Sequence, residues 1–545
     1  IDTTGQRNLT ISGELDAATL DISGAIDVAG TTNLDIVDID GAVDMASTLT
    51  VGTDITVTGQ DIQTGADNYL HLGDDSRIVS IGQGNEVNFL YDTNSDQTIY
   101  LNYSGYNGGT TRYRRTAIGD GKNSVIALFD ENSRISLSNN DSGTSNTIFG
   151  KSAGDDLASG GNYNVFLGEN AGHTNKLGDN NIAIGYDAFD LSYIDDTQDA
   201  LTVDNIFIGY NAGGGDWATA AGYYNIGIGS YVMDAAMNGV HSVVAIGYNT
   251  LTAATHANVS GSVAIGREAC ASTEDANLTT AIGQYSLYSL VGTHRNTAVG
   301  SQSGQNTTGA DNTYVGQKAG FGASGAESNN VAVGSGALAA GTTGSGNIAI
   351  GKGAGDAIAD GAENVCIGVN AGGALVDEDA NVFVGQDAGG TVDGAGKCVA
   401  IGTAALQGVA VSNGTVAIGW AAGNSITAEG TNTLIGYASG KAITTGEGNC
   451  AVGYGSLGAV GNTDGDQNTC IGYAAGDAID EGNNNTIIGS VSDVSTAAAV
   501  GQIAIGKSVT CTGNNIMTVG ISDNTASLDL NGSDEDWSAT SDERY

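Results

Sequence analysis

The chain of 545 residues contains no proline, and aromatic residues make up only 6% of it, whereas glycine occurs 86 times. Proline has no amide hydrogen to donate, so it is kept out of central strands. A compact multi-domain enzyme would carry more aromatic residues in its core. Together these scarcities favour a repetitive β protein whose backbone amides nearly all take part in strand pairing.

Basic residues are scarce too, because 17 Lys and Arg stand against 61 Asp and Glu, for a formal net charge of -44. Phosphate recognition needs clustered Lys and Arg, so we expect no binding to nucleic acid or to an anionic membrane. No apolar run approaches the roughly 20 residues that span a bilayer, and no signal peptide is visible. We predict no cofactor, although bound structural cations would relieve the self-repulsion. An upstream segment could precede Ile1, since the chain does not open with Met.

A short phrase recurs from Asn146 to about Gly520: asparagine, a β-branched residue, a small or aromatic residue, an aliphatic residue and glycine. A fixed period of this kind identifies a repeat architecture. The alternation within the phrase is typical of a strand, and the Gly, Asp, Asn, Thr and Ser of the remaining positions are typical of turns. In the most regular stretch the glycines are about 17 residues apart, at Gly334, Gly351, Gly368, Gly385, Gly402, Gly419, Gly436 and Gly453.

Each position of the phrase predicts a place in the fold. The two branched residues of a strand, such as Val263 and Ile265, face one way, and we expect them to be sealed inside. The residue between them, such as Ala264, faces the other side, which should be partly covered as well. A small residue three places after the glycine, such as Ala354, predicts a second wall formed by a short second strand. The recurrent asparagine predicts a hydrogen-bonded amide ladder from turn to turn.

One repeat cannot be stable alone. Its two or three buried side chains contribute roughly 1.5 to 3 kcal/mol each, against about 1 to 2 kcal/mol of backbone entropy for each ordered residue. Stacking is therefore required, and we predict an all-β, elongated β-solenoid or β-roll with about 17 residues per turn. At about 4.8 Å per turn, the repeats would make a rod on the order of 100 Å long.

The six cysteines do not predict a disulfide framework. Cys366 and Cys470 occupy the same repeat position about six turns apart, which exceeds the Cα separation of roughly 4.4 to 6.8 Å that a disulfide allows. Cys450 and Cys470 lie in adjacent turns, but at neighbouring positions whose side chains should face opposite ways. We predict buried thiols that pack as small hydrophobic groups, with assembly in a reducing cytoplasm.

The sequence divides into four segments. Residues 1–65 form a thin repetitive β shaft with too little core for one chain, so we predict that three chains share it. Residues 66–140 form a small β module whose tyrosines lie near Arg112, Arg114 and Arg115. This cluster could bind a sugar ring or a stacked base. Alternatively, its arginines could balance the charge of acidic residues on neighbouring chains. The solenoid spans residues 141–520, and residues 521–545 form a C-terminal segment.

The repeat loosens between residues 189 and 241, where the spacing lengthens. Insertions in solenoids map to surface loops and often to the binding face. Tolerated variation in loop length is the alternative explanation. The candidate ligand contacts are the aromatic residues of this stretch, Tyr193, Trp217, Tyr223, Tyr224 and Tyr231.

No catalytic residue is predicted. The sequence from Gly501 to Ser508 matches the phosphate-loop pattern, but it lies on the repeat and no helical pattern follows it, so nucleotide binding is not expected. The five histidines show no metal-ligand spacing with one another. Acidic pairs such as Asp155 and Asp156 are interpreted as solvated turns rather than as a hydrolytic pair.

The repeats resemble those of bacteriophage tail fibres and, more distantly, the head of trimeric autotransporter adhesins, a left-handed β-roll with a shorter repeat around a similar strand. The last residues, from Trp537 to Tyr545, resemble the entrance to the C-terminal intramolecular chaperone of endosialidase-type phage fibres. In that family the chaperone trimerises the fibre and then removes itself. The resemblance therefore implies a parallel homotrimer and a self-cleavage junction between Ser541 and Asp542, with the serine as nucleophile.

The function that follows is structural and adhesive. We expect an extracellular tail fibre of a virion that contacts other tail proteins at its N-terminal end and binds a glycan or protein receptor on the host surface. A spike that degrades surface polysaccharide is the enzymatic alternative, and a bacterial surface adhesin is a third. Low aromatic content and the lack of an interruption large enough for a cleft favour the fibre, so we predict no enzymatic activity.

Overall fold

The computed structural model describes Ser12, three strands between residues 116 and 136, residues 145–532 with short gaps, and residues 538–539. Contacts divide the chain into two units, Ile1–Ile99 and Tyr100–Tyr545, and every described strand belongs to the second. The predictions for the shaft and for the tyrosine and arginine cluster fall outside the described residues. The gaps are residues 158–159, 191–201, 216–221, 236–238, 254–258, 273–276, 291–294, 323–326, 342, 395, 409–412, 428–429 and 459–463.

A small antiparallel sheet precedes the repeats. Its strands are β1 (Thr116–Gly119), β2 (Val125–Phe129) and β3 (Ile135–Ser136), and they pair in sequence order.

A continuous ladder of strands then runs through the described part of the second unit. From β4 to β25 consecutive strands lie one turn apart and pair in parallel, so that equivalent residues are aligned. β26 and β27 complete the ladder with antiparallel pairing. The strands are β4 (Thr147–Phe149), β5 (Val165–Leu167), β6 (Ile182–Ile184), β7 (Ile206–Ile208), β8 (Ile226–Ile228), β9 (Val244–Ile246), β10 (Val263–Ile265), β11 (Thr280–Ile282), β12 (Thr297–Val299), β13 (Thr313–Val315), β14 (Val331–Val333), β15 (Ile348–Ile350), β16 (Val365–Ile367), β17 (Val382–Val384), β18 (Val399–Ile401), β19 (Val416–Ile418), β20 (Thr433–Ile435), β21 (Cys450–Val452), β22 (Thr469–Ile471), β23 (Thr486–Ile488), β24 (Ile503–Lys507), β25 (Ile516–Ile521), β26 (Asn524–Asp529) and β27 (Ser538–Ala539).

The predicted fold class is confirmed, because this ladder is an all-β parallel β-solenoid with about 17 residues per turn. The described residues contain no α-helix, and none of them forms a helix that could span a bilayer.

The glycine that ends each strand is required because successive turns stack closely. Gly368 has a φ of +139°, and a Cβ placed there would lie 2.3 Å from the carbonyl oxygen of Gly385 in the next turn, so only glycine fits.

The asparagine before each strand ties successive turns together. The side chain of Asn347 is buried, and its Nδ2 donates to the carbonyl of Gly361 at 2.8 Å. Its own amide donates to Oδ1 of Asn330 at 2.8 Å, and the amide of Asn364 donates to Oδ1 of Asn347 at 2.9 Å. The predicted amide ladder is therefore confirmed. Its bonds run mainly between side chain and backbone, with supplementary side-chain contacts such as the 3.2 Å one from Asn364 to Asn347.

The prediction that the branched pair of each strand is sealed inside is wrong. In β10 the buried residue is Ala264, whereas Val263 and Ile265 are partly exposed. The physical reason is a narrow interior. A Cβ at Gly389, on the opposite wall, would lie 2.5 Å from the ring of Phe383. Such a core has no room for two columns of Val and Ile, so these residues lie on the outer face of the strands.

The small side chains after the glycine do form the opposite wall, as predicted. Ala371 is fully buried, and its carbonyl accepts a bond from the amide of Gly355 at 2.9 Å, so this wall is also hydrogen-bonded from turn to turn. It is not the second strand that we expected, because Asn370 and Gly372 have left-handed φ values of 55° and 61°. Larger side chains complete the core, including Leu338, Ile358, Leu375, Ile426, Ile443 and Ile479.

The cysteines are free thiols, and all except the partly buried Cys450 are buried. Burial raises the pKa of the Cys366 thiol to about 12. Cys450 pairs with Thr469, and Cys470 pairs with Ala451, so the two thiols lie at neighbouring positions of adjacent strands. The prediction of small buried hydrophobic groups is confirmed for the five buried cysteines.

We expect that Asn330→Ala destabilises the turns on either side of it by about 2 to 4 kcal/mol. The substitution leaves the amide of Asn347 and the carbonyl of Gly344 buried without their partner, and each such loss costs about 1 to 3 kcal/mol. Hydrogen exchange of the amides in β14 and β15 would measure the change locally, which suits a repeat protein whose unfolding need not be two-state.

The matched control is Asn329→Ala, one residue earlier. Asn329 is exposed, and its left-handed φ of 61° is adopted by alanine at the equivalent Ala380, which has a φ of 58°. If the amides of β14 and β15 lost protection from hydrogen exchange equally in both variants, the hydrogen bonds of the asparagine ladder would not be the cause of the loss.

Candidate functional site

Two of the five predicted contact residues lie outside the described part of the chain. These are Tyr193 and Trp217. Tyr223 and Tyr224 are brought together, with their rings edge to face at a centroid distance of 5.3 Å. The ring of Tyr223 also stacks on His241 at 4.9 Å, because backbone bridges align Val203, Tyr223 and His241 in successive turns.

An open cavity of about 440 Å³ lies beside this cluster. It is bordered by His241, Ser260, Asn277 and Leu278, together with the backbone of Ser242 and Gly261. Leu278 and Tyr224 are strongly exposed. Tyr223 and Tyr224 of the loosened stretch are therefore exposed at the surface, and Leu278, which lies beyond that stretch, is exposed as well.

Tyr231 belongs to a different group of rings, which we call the first aromatic column. It consists of Tyr186, Tyr210, Tyr231 and Tyr248. Tyr186 and Tyr210 stack at 5.4 Å with only 9° between their planes, whereas Tyr231 meets Tyr210 at 64° and Tyr248 at 89°. Most of these tyrosines follow a repeat glycine directly, but Tyr231 follows Ser230, which accounts for its different angle.

Sequence reasoning missed a more regular group, which we call the second aromatic column. It consists of Trp420, Tyr437, Tyr454 and Tyr473 in four successive turns. Their centroids are 4.7, 4.8 and 5.2 Å apart, and the planes differ by 16°, 3° and 10°. The signal was present, because each ring directly follows a repeat glycine. Residues that share a position in successive turns of a parallel ladder must lie one above another.

Carboxyl groups gather beyond the last ring of this column. Asp477 and Asp480 border an open cavity of about 690 Å³ beside Tyr473. In the next turn, both carboxylate oxygens of Asp493 accept bonds from the amide of Ala478, at 3.2 and 3.0 Å. Burial, reinforced by a hydrogen bond with Asp477, raises the pKa of Asp493 to about 7.

A single carboxyl group lies deep in the described core. Glu327 is only 3% exposed, and its Oε2 atom has no hydrogen-bond partner among the described residues. Its backbone carbonyl accepts a bond from Nδ2 of Asn312 at 2.9 Å, which places the residue on the asparagine ladder. A space of about 10 Å³, close to the size of one water molecule, lies beside Glu327 and the buried Tyr314. Burial raises the pKa of Glu327 to about 7.

The other sites considered from the sequence do not converge on a reaction centre. Among the described residues, no group of three or more His, Cys, Asp and Glu side chains could hold a metal ion. His173 is flanked by Asp190 at 3.2 Å and Asp155 at 3.9 Å. Lys507, which matched the phosphate-loop lysine, ends strand β24. Ser541 and Asp542 lie outside the described residues.

No family model matches this chain, and no curated protein or solved structure is significantly similar to it. Its function must therefore be inferred from the fold and from the surfaces described above.

We expect stability to fall as the pH rises through about 7, and Glu327 to be a main cause. A carboxyl whose folded pKa is raised contributes stability that is fully present below its unfolded pKa. This contribution is lost as the pH rises from the unfolded pKa through the folded pKa, because the unfolded chain ionises first. For a shift from 4.5 to about 7, the loss by pH 8 is about 2 to 3 kcal/mol. Thermal unfolding at pH 5 and pH 8 would measure it, and Glu327→Gln should reduce the difference.

The control for this measurement is Glu363→Gln, which makes the same change of charge at an exposed carboxylate. If both variants reduced the pH dependence equally, general charge repulsion rather than the buried carboxyl would be responsible.

Proposed function

We propose that this chain is the subunit of a homotrimeric bacteriophage tail fibre that attaches the virion to the surface of its host. The resemblance of the repeats, and of the segment from Trp537 to Tyr545, supports the assignment to a phage fibre. The observation that carries the proposal of assembly is the outer face of the strands, which is largely apolar and carries no charge in the rows of side chains that run from β4 to β24.

We call this face the outer stripe, defined as the first and third residues of every strand from β4 to β24. The first residues form one row of side chains and the third residues form another. Together the two rows contain only Val, Ile, Thr, Leu, Phe and Cys, and none of these residues is charged. Ile350 and Ile401 are 39% and 37% exposed. In a chain with 61 acidic residues, this is a face along which copies can approach without bringing carboxylates together.

The size of the outer stripe also suits an interface. A ladder of some twenty turns is roughly 100 Å long, and the two rows of side chains make the stripe about 10 Å wide, or on the order of 1,000 Å². Monomeric proteins rarely expose apolar patches larger than about 300 to 600 Å². A stable interface buries about 800 Å² on each partner. Packing the stripes of parallel copies around a common axis would cover this surface.

The exposed aromatic columns support the adhesive part of the proposal. Their rings lie outside the strands, and all except Tyr231 directly follow a repeat glycine and are exposed, so a receptor on the host could contact them. In this proposal the N-terminal end meets other tail proteins, and a C-terminal chaperone assembles the trimer.

A polysaccharide-degrading spike is the second candidate, because Asp477 and Asp480 border the same open cavity. Two carboxyl groups beside one cavity are the minimum that glycoside hydrolysis needs. The two candidates predict different effects on host glycans. A fibre binds the glycans without altering them, whereas a spike shortens them.

We expect the chain to sediment as a trimer and the double variant Ile350→Glu, Ile401→Glu to sediment as a monomer. Each glutamate would place a charge in a desolvated apolar interface, which is costly without a partner. Sedimentation velocity at micromolar concentration measures the change. The control is Val376→Glu, because Val376 is 38% exposed but lies outside the strands. A monomeric wild type, or an equal effect of the control, would contradict assembly through the stripe.

We also expect the labelled protein to adsorb to cells of a susceptible bacterial host and to compete with phage particles for adsorption. Envelope glycans incubated with it should keep their length when analysed by size-exclusion chromatography. Shortened glycans would favour the spike, and failure to adsorb to any host in a broad panel would count against both candidates.

A further inference from the structure

The second aromatic column ends at Tyr473, and this last ring has an open face. One face stacks on Tyr454 at 5.2 Å. In the next turn the equivalent position is Ser490, whose side chain is too small to cover the other face. Tyr473 is accordingly the most exposed ring of the column, at 56%. At the opposite end, the ring of Trp420 is contacted by Nζ of Lys441, 5.2 Å from the ring centroid.

Tyr473 borders the cavity of about 690 Å³ together with Tyr454, and the size of this cavity is typical of small-molecule sites. The remaining lining combines Gly455, Gly458 and small apolar side chains with carboxylates. Ala474, Ala478 and Ala497 provide a smooth surface, and Asp477 and Asp480 provide hydrogen-bond acceptors. The bonds from the Ala478 amide to Asp493 hold this part of the wall to the next turn.

A sugar ring has the complementary chemistry. One face of a pyranose presents C–H groups, which pack on an aromatic face, and its rim presents hydroxyl groups, which donate to carboxylates. An ionised carboxylate only accepts hydrogen bonds, so the site requires a ligand rich in donors.

We propose that this cavity binds a neutral pyranose of a host-surface glycan, stacked on Tyr473 and hydrogen-bonded to Asp477 and Asp480. The proposal rests on the proposed function, because it names the chemical class of the receptor. Acidic sugars are disfavoured, since a carboxylate on the ligand would meet the two aspartates in a chain of net charge -44.

The test is saturation-transfer NMR on the full chain with four hexasaccharides, of glucose, mannose, N-acetylglucosamine and galacturonate. At least one neutral oligosaccharide should receive saturation on its ring C–H groups, whereas the acidic galacturonate oligomer should not. Tyr473→Ala and Asp480→Asn should each weaken binding of the neutral ligand roughly tenfold. Tyr473→Phe should retain most of it, because the ring face is kept.

The matched control is Tyr437→Ala in the same column. Both faces of Tyr437 are covered, by Trp420 at 4.7 Å and by Tyr454 at 4.8 Å, so its loss should change affinity less than about twofold. Circular dichroism would verify that each variant keeps the fold of the wild type. The proposal is overturned if no neutral oligosaccharide binds, if the acidic one binds better, or if Tyr473→Ala binds as well as the wild type.

Adsorption to host cells separates this inference from the proposed function. If the wild type adsorbs and Tyr473→Ala adsorbs equally, the chain is still adhesive but this cavity is not its receptor site. If the wild type does not adsorb, the adhesive function fails, while the oligosaccharide titration still reports whether the cavity binds sugar.

Discussion

Hydrogen bonding from one turn to the next is the constraint on which this structure depends. Each turn is too small to bury a core of its own, so it is stable only when its amides and carbonyls are satisfied by its neighbours. The asparagine ladder does this where the chain enters each strand, as Asn347 illustrates with its bonds to Asn330 and Gly361. Because every turn must repeat the path of the one below, the same residue type recurs at each position.

That constraint also explains why apolar side chains lie outside. Closely stacked turns of about 17 residues enclose a thin interior, which contains mainly Ala, Cys, Leu and Ile, some Val and Met, and an occasional aromatic side chain. The remaining Val and Ile side chains suit the extended backbone of the strands, yet they find no space inside. They form the outer stripe instead. The absence of charge from this stripe, in so acidic a chain, is the feature on which the proposed association of copies rests.

The same stacking gives the surface its pattern. A ring placed directly after a repeat glycine falls above the ring of the previous turn, so that single aromatic residues in the sequence become columns. Within a column, neighbouring rings cover each other, and a free face appears only where the series stops. Tyr473 is such a position, and the carboxylates of the following loop lie beside it. We propose that this interruption of a regular pattern forms the binding site for a sugar ring.

The sequence alone determined the repeat, the parallel stacking, the buried thiols and the asparagine ladder, because each depends on a period that can be counted along the chain. It also placed Tyr223 and Tyr224 in a stretch expected to lie at the surface, whereas their contact with each other was seen only in the structure. It misplaced the branched residues, since alternation shows which side chains share a face but not which face is inside. That choice depends on the width of the interior, which only the path of the whole turn defines. The second aromatic column could have been predicted from the same period, because each of its rings follows a repeat glycine. The cavity at Tyr473 required the tertiary structure, because Tyr454, Asp477 and Ala497 border one space only once the turns are stacked.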